Sequence, residues 1–349
     1  MSSLYEALLV VSFGGPEGMD EVMPFLQNVL LGRNIPEARL REVVHHYELF
    51  GGVSPLNGQN RALIAALRIE LEASGPNIPI YWGNRNWRPF LPEALQQMKQ
   101  DGIKHALAFF TSAYSSYSSC RQYREDIQRA QAQVGAGAPE IDKLRVFYNH
   151  PGFIEPTVER VQQALRSIRE QRRASSRVVF TAHSIPQSMS MGCSYESQLR
   201  EVCRLVAAEL GLHNWSLSYQ SRSGPPSQPW LEPDILKHLS RLKAEGITDV
   251  VVAPVGFISD HMEVIYDLDT EARQHCAAIG MNMVRAATVG THPRFIRMIR
   301  ELILERMGEE PTRLSLGTSG PSHDVCPLDC CLPGQGTMGR PVKYNTETT

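Results

Sequence analysis

The sequence reads Arg177-Val178-Val179-Phe180-Thr181-Ala182-His183-Ser184-Ile185-Pro186 near its middle. The apolar run at its start indicates a buried strand, and Pro186 prevents strand pairing beyond about His183. In parallel α/β sheets, ligands bind at the carboxyl ends of the strands. A neutral imidazole at such a place can ligate a metal or accept a proton near pH 7. The alternative interpretation is a hydrogen-bonded core histidine.

A second strand end carries similar chemistry. Val250–Pro254 is another apolar run, and it leads into Val255-Gly256-Phe257-Ile258-Ser259-Asp260-His261-Met262-Glu263. This order predicts a second imidazole and a carboxylate at a strand end in the same half of the chain. The second segment therefore favours a functional site over an isolated core histidine.

Short apolar strands alternate with longer amphipathic stretches along the whole chain, which is typical of an α/β fold. Four strand–helix units in each half predict two similar doubly wound, Rossmann-like domains with parallel sheets flanked by helices. We expect the domains at residues 1–150 and 151–310, with the ligand cleft between them, and a polar, cysteine-containing, partly disordered tail at 311–349. The predicted strands are Ala7–Phe13, Ile78–Trp82, Ala106–Phe110, Leu144–Phe147, Arg177–Ala182, Trp215–Ser221, Asp249–Pro254 and Met283–Ala286.

Composition argues against several classes of protein. The formal net charge of -2 argues against a nucleic-acid-binding protein. No apolar run approaches the ~20 residues of a membrane span, and the first residues lack the features of a signal peptide, so we expect a cytoplasmic protein without an integral membrane segment. The seven cysteines are then more typical of free thiols or metal ligands than of disulfides.

Nucleotide-binding motifs are missing from the sequence. The first predicted strand ends in Phe13-Gly14-Gly15-Pro16-Glu17-Gly18, which is rich in glycine but is not G-x-G-x-x-G. Pro16 also removes a backbone donor where a phosphate would need one. We therefore exclude a nicotinamide cofactor, and the lack of a Walker sequence argues against ATP-driven chemistry.

Three acidic residues follow the second strand end at regular spacing. Glu263, Asp267 and Glu271 lie at i, i+4 and i+8, which places them on one face of a helix. Such a stripe is usually a solvated acidic face. Because this one begins where a buried strand ends, a row of hard oxygen ligands leading a divalent cation to the site is the alternative.

The cysteines of the tail allow several interpretations. Cys326, Cys330 and Cys331 could be idle thiols, a zinc site or part of an iron–sulfur cluster, and their spacing is not standard for either metal site. A metal site would need a fourth ligand from the body of the protein. Cys120, in a polar loop or at a helix start, is the best candidate, whereas the role of Cys193 stays open.

A turn at Ser54 and a neighbouring basic region could serve an anionic ligand. Ser54 either caps a following helix or donates to an anionic group at the start of that helix. Arg33, Arg39 and Arg41 make the preceding region basic. Tyr81–Arg88 contains two tryptophans and two arginines, which suits a flat, anionic aromatic ligand unless the tryptophans belong to the core.

Taken together, these segments resemble the ferrochelatases, which insert ferrous iron into a porphyrin. The resemblance spans about residues 5 to 310 and is greatest with the actinobacterial-type enzymes. The segments that carry it are Leu8–Pro16, Gly52–Asn57, Thr181–Pro186 and Pro254–Glu263, with Ser12–Gly18 and Thr111–Ser118 for the actinobacterial type.

The resemblance implies a role for each candidate in a porphyrin cleft. His183 and Glu263 would face each other across the porphyrin, bind Fe²⁺ and accept pyrrole protons, while Asp267 and Glu271 would continue the acidic line towards solvent. Phe13 departs from relatives with an axial tyrosine at this position, so its contact with iron is in doubt. The implied porphyrin contacts are Phe13, Arg33, Ser54 and Tyr123, and the implied ligands of a [2Fe-2S] cluster are Cys120, Cys326, Cys330 and Cys331.

The predicted function is therefore iron insertion in heme biosynthesis. The basic region near Ser54 and the lack of a long apolar insertion favour coproporphyrin III, which has four propionates, over protoporphyrin IX, which has two. The expected partners are the porphyrin, Fe²⁺ and, transiently, neighbouring heme-pathway enzymes. The alternatives are a protoporphyrin IX ferrochelatase, a cobalt or nickel chelatase, and a porphyrin or metal carrier without turnover.

Overall fold

The computed structural model describes residues 4–31, 37–225 and 227–334, and the first half of this chain forms a four-stranded parallel sheet. Its strand order is β2–β1–β3–β4, so β1 and β3 are central. One of its helices begins at Pro55, directly after Ser54, whose side chain caps it. The elements are β1 (Ala7–Ser12), α1 (Met19–Leu30), α2 (Glu37–Glu48), α3 (Pro55–Ser74), β2 (Ile80–Asn84), α4 (Leu91–Gln100), β3 (His105–Phe110), a π-helical turn (Tyr117–Arg121), α5 (Gln122–Val134) and β4 (Glu140–Lys143).

The second half repeats this architecture. Its strands are all parallel in the order β6–β5–β7–β8, which is the order of the first sheet. The two similar parallel sheets flanked by helices confirm the predicted fold class. The elements are α6 (Pro151–Arg166), α7 (Glu170–Arg173), β5 (Arg177–His183), α8 (Gln187–Ser190), α9 (Tyr195–Glu209), β6 (Trp215–Gln220), α10 (Ile235–Ala244), β7 (Asp249–Ala253), α11 (Met262–Val264), a π-helical segment (Ile265–Ala272), α12 (Arg273–Ala278), β8 (Asn282–Arg285) and α13 (Pro293–Met307).

One predicted strand is wrong. The sequence predicts a strand at Leu144–Phe147, but the strand that pairs with β3 is Glu140–Lys143. This strand lies at an edge of the sheet and alternates exposed and covered residues, so it has no apolar run. The apolar residues that follow it leave the sheet and pack into the core, where Phe147 is buried.

The two halves share one apolar core. A single cluster of buried side chains contains Leu8 and Phe109 from the first sheet and Phe180 and Val251 from the second. Helix α13 packs against both α6 and α3. Because apolar surface is continuous across the halves, their separation would expose it to water. The domain boundary at residues 150 and 151 stays a prediction.

Polar contacts also cross between the halves. The Tyr114 hydroxyl donates to the Val255 carbonyl at 2.7 Å. The buried Arg145 guanidinium pairs with Glu305 of α13 at 2.7 Å. Both residues of this ion pair are almost fully covered, so removal of Glu305 would leave the Arg145 charge buried without this partner, whereas Glu305 also pairs with Arg313 at 2.9 Å.

The described part of the tail follows the surface of the body. Leu316 donates its backbone N–H to the Asn149 carbonyl at 2.8 Å, and Lys143 Nζ donates to the His323 carbonyl at 3.3 Å. Residues 335–349 lie outside the described part. Among the described residues, no helix is long and apolar enough to cross a membrane.

Candidate active site

His183 lies at the carboxyl end of β5, the position that the sequence predicts. Strand β5 lies between β6 and β7, so His183 is in the middle of the row of carboxyl strand ends. The His183 Nδ1–H donates to the Ser184 carbonyl, and the Tyr195 hydroxyl donates to the His183 carbonyl at 3.0 Å. The first contact orients the ring and the second fixes the backbone of His183, so Nε2 faces the segment that follows β7.

Glu263 lies in the short helix after β7 and faces His183. The Nε2 atom of His183 is 3.4 Å from Glu263 Oε1. His261 caps this helix, because its Nδ1 accepts from the Glu263 N–H at 3.2 Å. The Gln220 amide donates to the Glu263 carbonyl from the end of β6. The structure thus brings together the two residues that the sequence analysis puts at strand ends.

The His183–Glu263 pair is charged at neutral pH. Burial alone would lower the pKa of His183, but the negative charge of Glu263 and their hydrogen bond raise this pKa to about 9. The partial burial of Glu263 would raise its pKa, but the imidazolium lowers it to about 2. At pH 7 the histidine is therefore protonated, and it must lose that proton before it can ligate a metal.

Asp267 is the next carboxylate along the chain and differs from Glu263 in its protonation. Burial, followed by the negative charges of Glu263 and Glu271, raises the pKa of Asp267 to about 7, although a hydrogen bond from the Ser221 hydroxyl opposes the shift. This carboxyl group therefore exchanges protons near neutral pH. Ser221, at the end of β6, has a φ of 61°. Ser221 was not predicted as a site residue, although its position at a strand end was a usable signal.

Of the three acidic residues at regular spacing, Asp267 and Glu271 lie on a π-helix, whereas Glu263 lies on the short α-helix before it. Ile265–Ala272 forms eight residues of π-helix between α11 and α12. A spacing of four residues is close to one turn in both kinds of helix, so the pattern Glu263, Asp267, Glu271 does not distinguish them. On the outer part of this segment, Tyr266 stacks on His46 of α2 with ring centroids 3.8 Å apart.

The first half contributes aromatic side chains, which include Phe13 and Phe25. Phe13, at the end of β1, is 37% exposed and contacts Phe25 edge-on, with ring centroids 6.3 Å apart. Phe25 belongs to an apolar cluster with Tyr47 and Met262, the residue before Glu263. The pKa of Tyr47 is raised by burial and by the charge of Glu263, a relation that the sequence analysis missed. This cluster connects the aromatic side chains of the first half to the helix that carries Glu263.

The predicted porphyrin contacts differ in their exposure. Ser54 is 4% exposed and serves as a helix cap, since its Oγ accepts from the Leu56 N–H at 3.4 Å. Tyr123 is 6% exposed and lies under the Arg85 guanidinium, 4.5 Å from its ring centroid. Arg33 lies outside the described residues. The roles of these residues towards a porphyrin stay predictions.

The four cysteines that the sequence analysis groups also lie together. Cys120, in the π-helical turn, is hydrogen-bonded to Cys326, and this bond raises the pKa of Cys120 and lowers that of Cys326. The Sγ atoms of Cys330 and Cys331 are 3.4 Å apart. His323 was not predicted, but the ligand atoms of His323, Cys326 and Cys330 all lie within 4.8 Å of one another.

Comparison with solved structures defines the class of fold. SirB from Bacillus subtilis with Fe³⁺ superposes with a TM-score of 0.52 at 14% identity, covering 88% of this chain and 98% of that chain. The sirohydrochlorin chelatase SirB from Bacillus subtilis subspecies spizizenii, in complex with cobalt, gives a TM-score of 0.50 at 13% identity and covers 88% of this chain and 97% of that chain. The fold is therefore that of chelatases with two parallel sheets.

Sequence comparison then identifies the family. The family model described as Ferrochelatase matches residues 5–307, and the chain belongs to the ferrochelatase family. It is 54% identical to a ferrochelatase of Rhodopirellula baltica over 348 residues, covering 98% of each chain. It is 51% identical to a coproporphyrin III ferrochelatase of Streptomyces griseus over 349 residues, covering 94% of this chain and 93% of the relative.

Proposed function

We propose that this protein is a lyase that inserts Fe²⁺ into coproporphyrin III during heme biosynthesis. The observation that carries the proposal is the pair of His183, at the end of β5, and Glu263, in the helix after β7, which lie 3.4 Å apart in a chain of the ferrochelatase family. Three relatives that are 51%, 50% and 48% identical in sequence are coproporphyrin III ferrochelatases. Fe²⁺ is a substrate of this reaction and not a resident cofactor.

The chemistry requires bases as well as metal ligands. Insertion exchanges two pyrrole protons for one Fe²⁺, so the site must accept protons while it removes water from the iron. In our proposal Glu263, ionised at neutral pH, and His183, once deprotonated, bind the metal and accept these protons. Asp267, with a pKa of about 7, then passes protons towards Glu271 and solvent.

The test of this function is direct. Fe²⁺ or Zn²⁺ is mixed with coproporphyrin III and the purified protein, and metal insertion is followed by the shift of the Soret band. We expect turnover, and a higher catalytic efficiency with coproporphyrin III than with protoporphyrin IX under the same detergent conditions. A higher efficiency with protoporphyrin IX would change the substrate assignment, and binding without product would favour a carrier.

We also propose that Cys120, Cys326, Cys330 and Cys331 hold a [2Fe-2S] cluster. Their thiols fit this group because they are already gathered and because cysteine sulfurs are its usual ligands. When bound, such a cluster supplies one-electron redox chemistry, which metal insertion does not need. The cysteines themselves would connect the tail to the body, so we assign them a stabilising or sensing role.

The competing site is zinc held by His323, Cys326 and Cys330. Anaerobic purification followed by iron, sulfide and zinc analysis separates the two. For the cluster, we expect Cys120→Ser to abolish the brown colour and His323→Ala to preserve it. Zinc without sulfide, lost in His323→Ala but kept in Cys120→Ser, would contradict the cluster.

The cellular context is part of the same proposal. We propose that the protein works in the cytoplasm and receives its porphyrin through transient contacts with neighbouring heme-pathway enzymes. Cell fractionation tests the first statement, and crosslinking in cells with mass spectrometry tests the second. Recovery of the protein mainly in membrane fractions would contradict a cytoplasmic location.

A further inference from the structure

Arg285 lies at the end of β8, behind the π-helical segment. Its Nε donates to the two carboxylate oxygens of Asp269 at 2.8 and 2.9 Å, and its Nη1 donates to Asp260 Oδ1 at 3.0 Å. The Arg285 side chain is only 14% exposed, so these charge-assisted bonds are less screened than a surface ion pair. One guanidinium therefore connects the turn before Glu263 to the middle of the π-helix.

The same turn is fixed from the first half of the chain. The side-chain amide of Gln59, in α3, donates to the Asp260 carbonyl at 2.7 Å and accepts from the Asp260 N–H at 2.9 Å. The backbone and the carboxylate of Asp260 are thus held by different elements. This arrangement defines where the chain enters the helix that carries Glu263.

The position of Asp269 depends on how the π-helix is rotated about its axis. It lies two residues from both Asp267 and Glu271, so its side chain lies on a different face from theirs. π-Helices are rare and mostly consist of a single turn, and regular α-helical bonding is the usual alternative. A change from π to α bonding would rotate Asp267 and Glu271 relative to Glu263. A contact that fixes Asp269 opposes this rotation.

We propose that Arg285 is a positioning residue for metal insertion, because it holds Asp260 and Asp269 together and so keeps Asp267 and Glu271 aligned with Glu263. The inference rests on the proposed function, since it concerns the path by which a divalent cation reaches the site. In this proposal Arg285 acts through its bonds to Asp269 and Asp260 and not by binding a substrate itself.

Simple electrostatics predicts the opposite effect of losing Arg285. Removal of its positive charge would take the arginine away from Asp260 and leave Asp269 with Arg273 alone, which makes the region more negative and more attractive to a divalent cation. If Arg285 instead aligns Asp267 and Glu271 with Glu263, its loss makes the cation bind more weakly. The direction of the change in metal affinity therefore distinguishes positioning from through-space attraction.

The experiment compares Arg285→Met with Arg273→Met. Arg273 is a matched control because it donates to the same Asp269, at 3.1 Å, from a side chain that is 54% exposed. Zn²⁺ insertion into coproporphyrin III is measured while metal and porphyrin are varied separately. We expect Arg285→Met to raise the KM for Zn²⁺ about tenfold, with the porphyrin KM changed less than about twofold, and Arg273→Met to change both less than about twofold.

Each outcome has a defined meaning. A KM for Zn²⁺ that is unchanged or lower in Arg285→Met would overturn the inference, as would a parallel loss for both substrates. If Arg285→Met does not fold, Asp269→Asn removes one partner of the arginine and is measured in the same way. Absence of turnover by the unmodified protein would instead overturn the proposed function.

Discussion

Replacement of Glu263 by glutamine is expected to lower the pKa of His183 by about two units. Burial lowers this pKa, and the Glu263 carboxylate at 3.4 Å is the main group that raises it to about 9. An uncharged amide removes that contribution, so the pKa should fall from about 9 towards its ordinary value of 6.5. Because the Glu263 side chain is 47% exposed, solvent screens part of the interaction, and we take two units as the magnitude.

The assay is a titration of the imidazole by NMR. The protein contains eleven histidines, so spectra of ¹³C-labelled histidine are assigned with the help of His183→Gln. Asp267→Asn is the control, because Asp267 is the smallest of the stated contributions to the pKa of His183 and its removal should shift the pKa less. A His183 pKa that stays above about 8 in Glu263→Gln would refute the reasoning.

The same pair makes stability depend on pH. The folded-state pKa of His183, about 9, exceeds the ordinary value of 6.5, so the imidazolium stabilises the fold fully below pH 6.5. This contribution is lost as the pH rises through 9. Urea unfolding at several pH values between 6.5 and 9 should therefore show a decline in the unmodified protein that Glu263→Gln reduces.

The remaining predictions concern other positions. His183→Ala should abolish metal insertion while the fold, by circular dichroism, and porphyrin binding, by fluorescence quenching, remain; turnover within a few-fold of normal would return His183 to a structural role. Asp267→Asn should mainly raise the KM for the metal in steady-state assays, and a loss confined to the porphyrin KM would contradict this. Burial, Arg145 and Arg294 lower the pKa of His150 to about 3, so the neutral imidazole stabilises the fold above pH 6.5 and this contribution is lost as the pH falls towards 3. In urea unfolding, His150→Asn should therefore weaken the dependence of stability on pH in this range by up to about 1.4 kcal/mol per pH unit. Phe295→Ala should cost about 3–5 kcal/mol in urea unfolding, because Phe295 is fully buried in the shared core, and a cost below 1 kcal/mol would contradict that placement.

Much of the fold follows from patterns that the sequence carries locally. Strands buried on both faces of a parallel sheet have continuous apolar runs, and Arg177–His183 and Asp249–Ala253 were therefore predictable together with the chemistry at their ends. The edge strand Glu140–Lys143 lacks such a run because solvent covers part of it. The apolar segment that follows it packs elsewhere in the core but carries the stronger strand pattern.

The rest of the site depends on tertiary contacts. The π-helix at Ile265–Ala272 could not be predicted, because a spacing of four residues fits an α-helix as well. The contact of His323 with Cys330 and that of Ser221 with Asp267 depend on how separate segments pack. Spacing along the chain indicated which residue types matter, and packing decided which of them meet.

The core that both halves share has a mechanical consequence. Opening the molecule between its sheets would expose buried apolar surface, at about 25 cal/mol for each Å², and would break the bond between Tyr114 and Val255. The walls that carry Phe13, His183 and Glu263 are for this reason stiff. When a flat macrocycle binds between two rigid surfaces that it does not fit, the macrocycle deforms, because it is more easily bent than the protein. We expect the deformation of a bound macrocycle to follow from the shape of these walls and not from a closing movement of the halves.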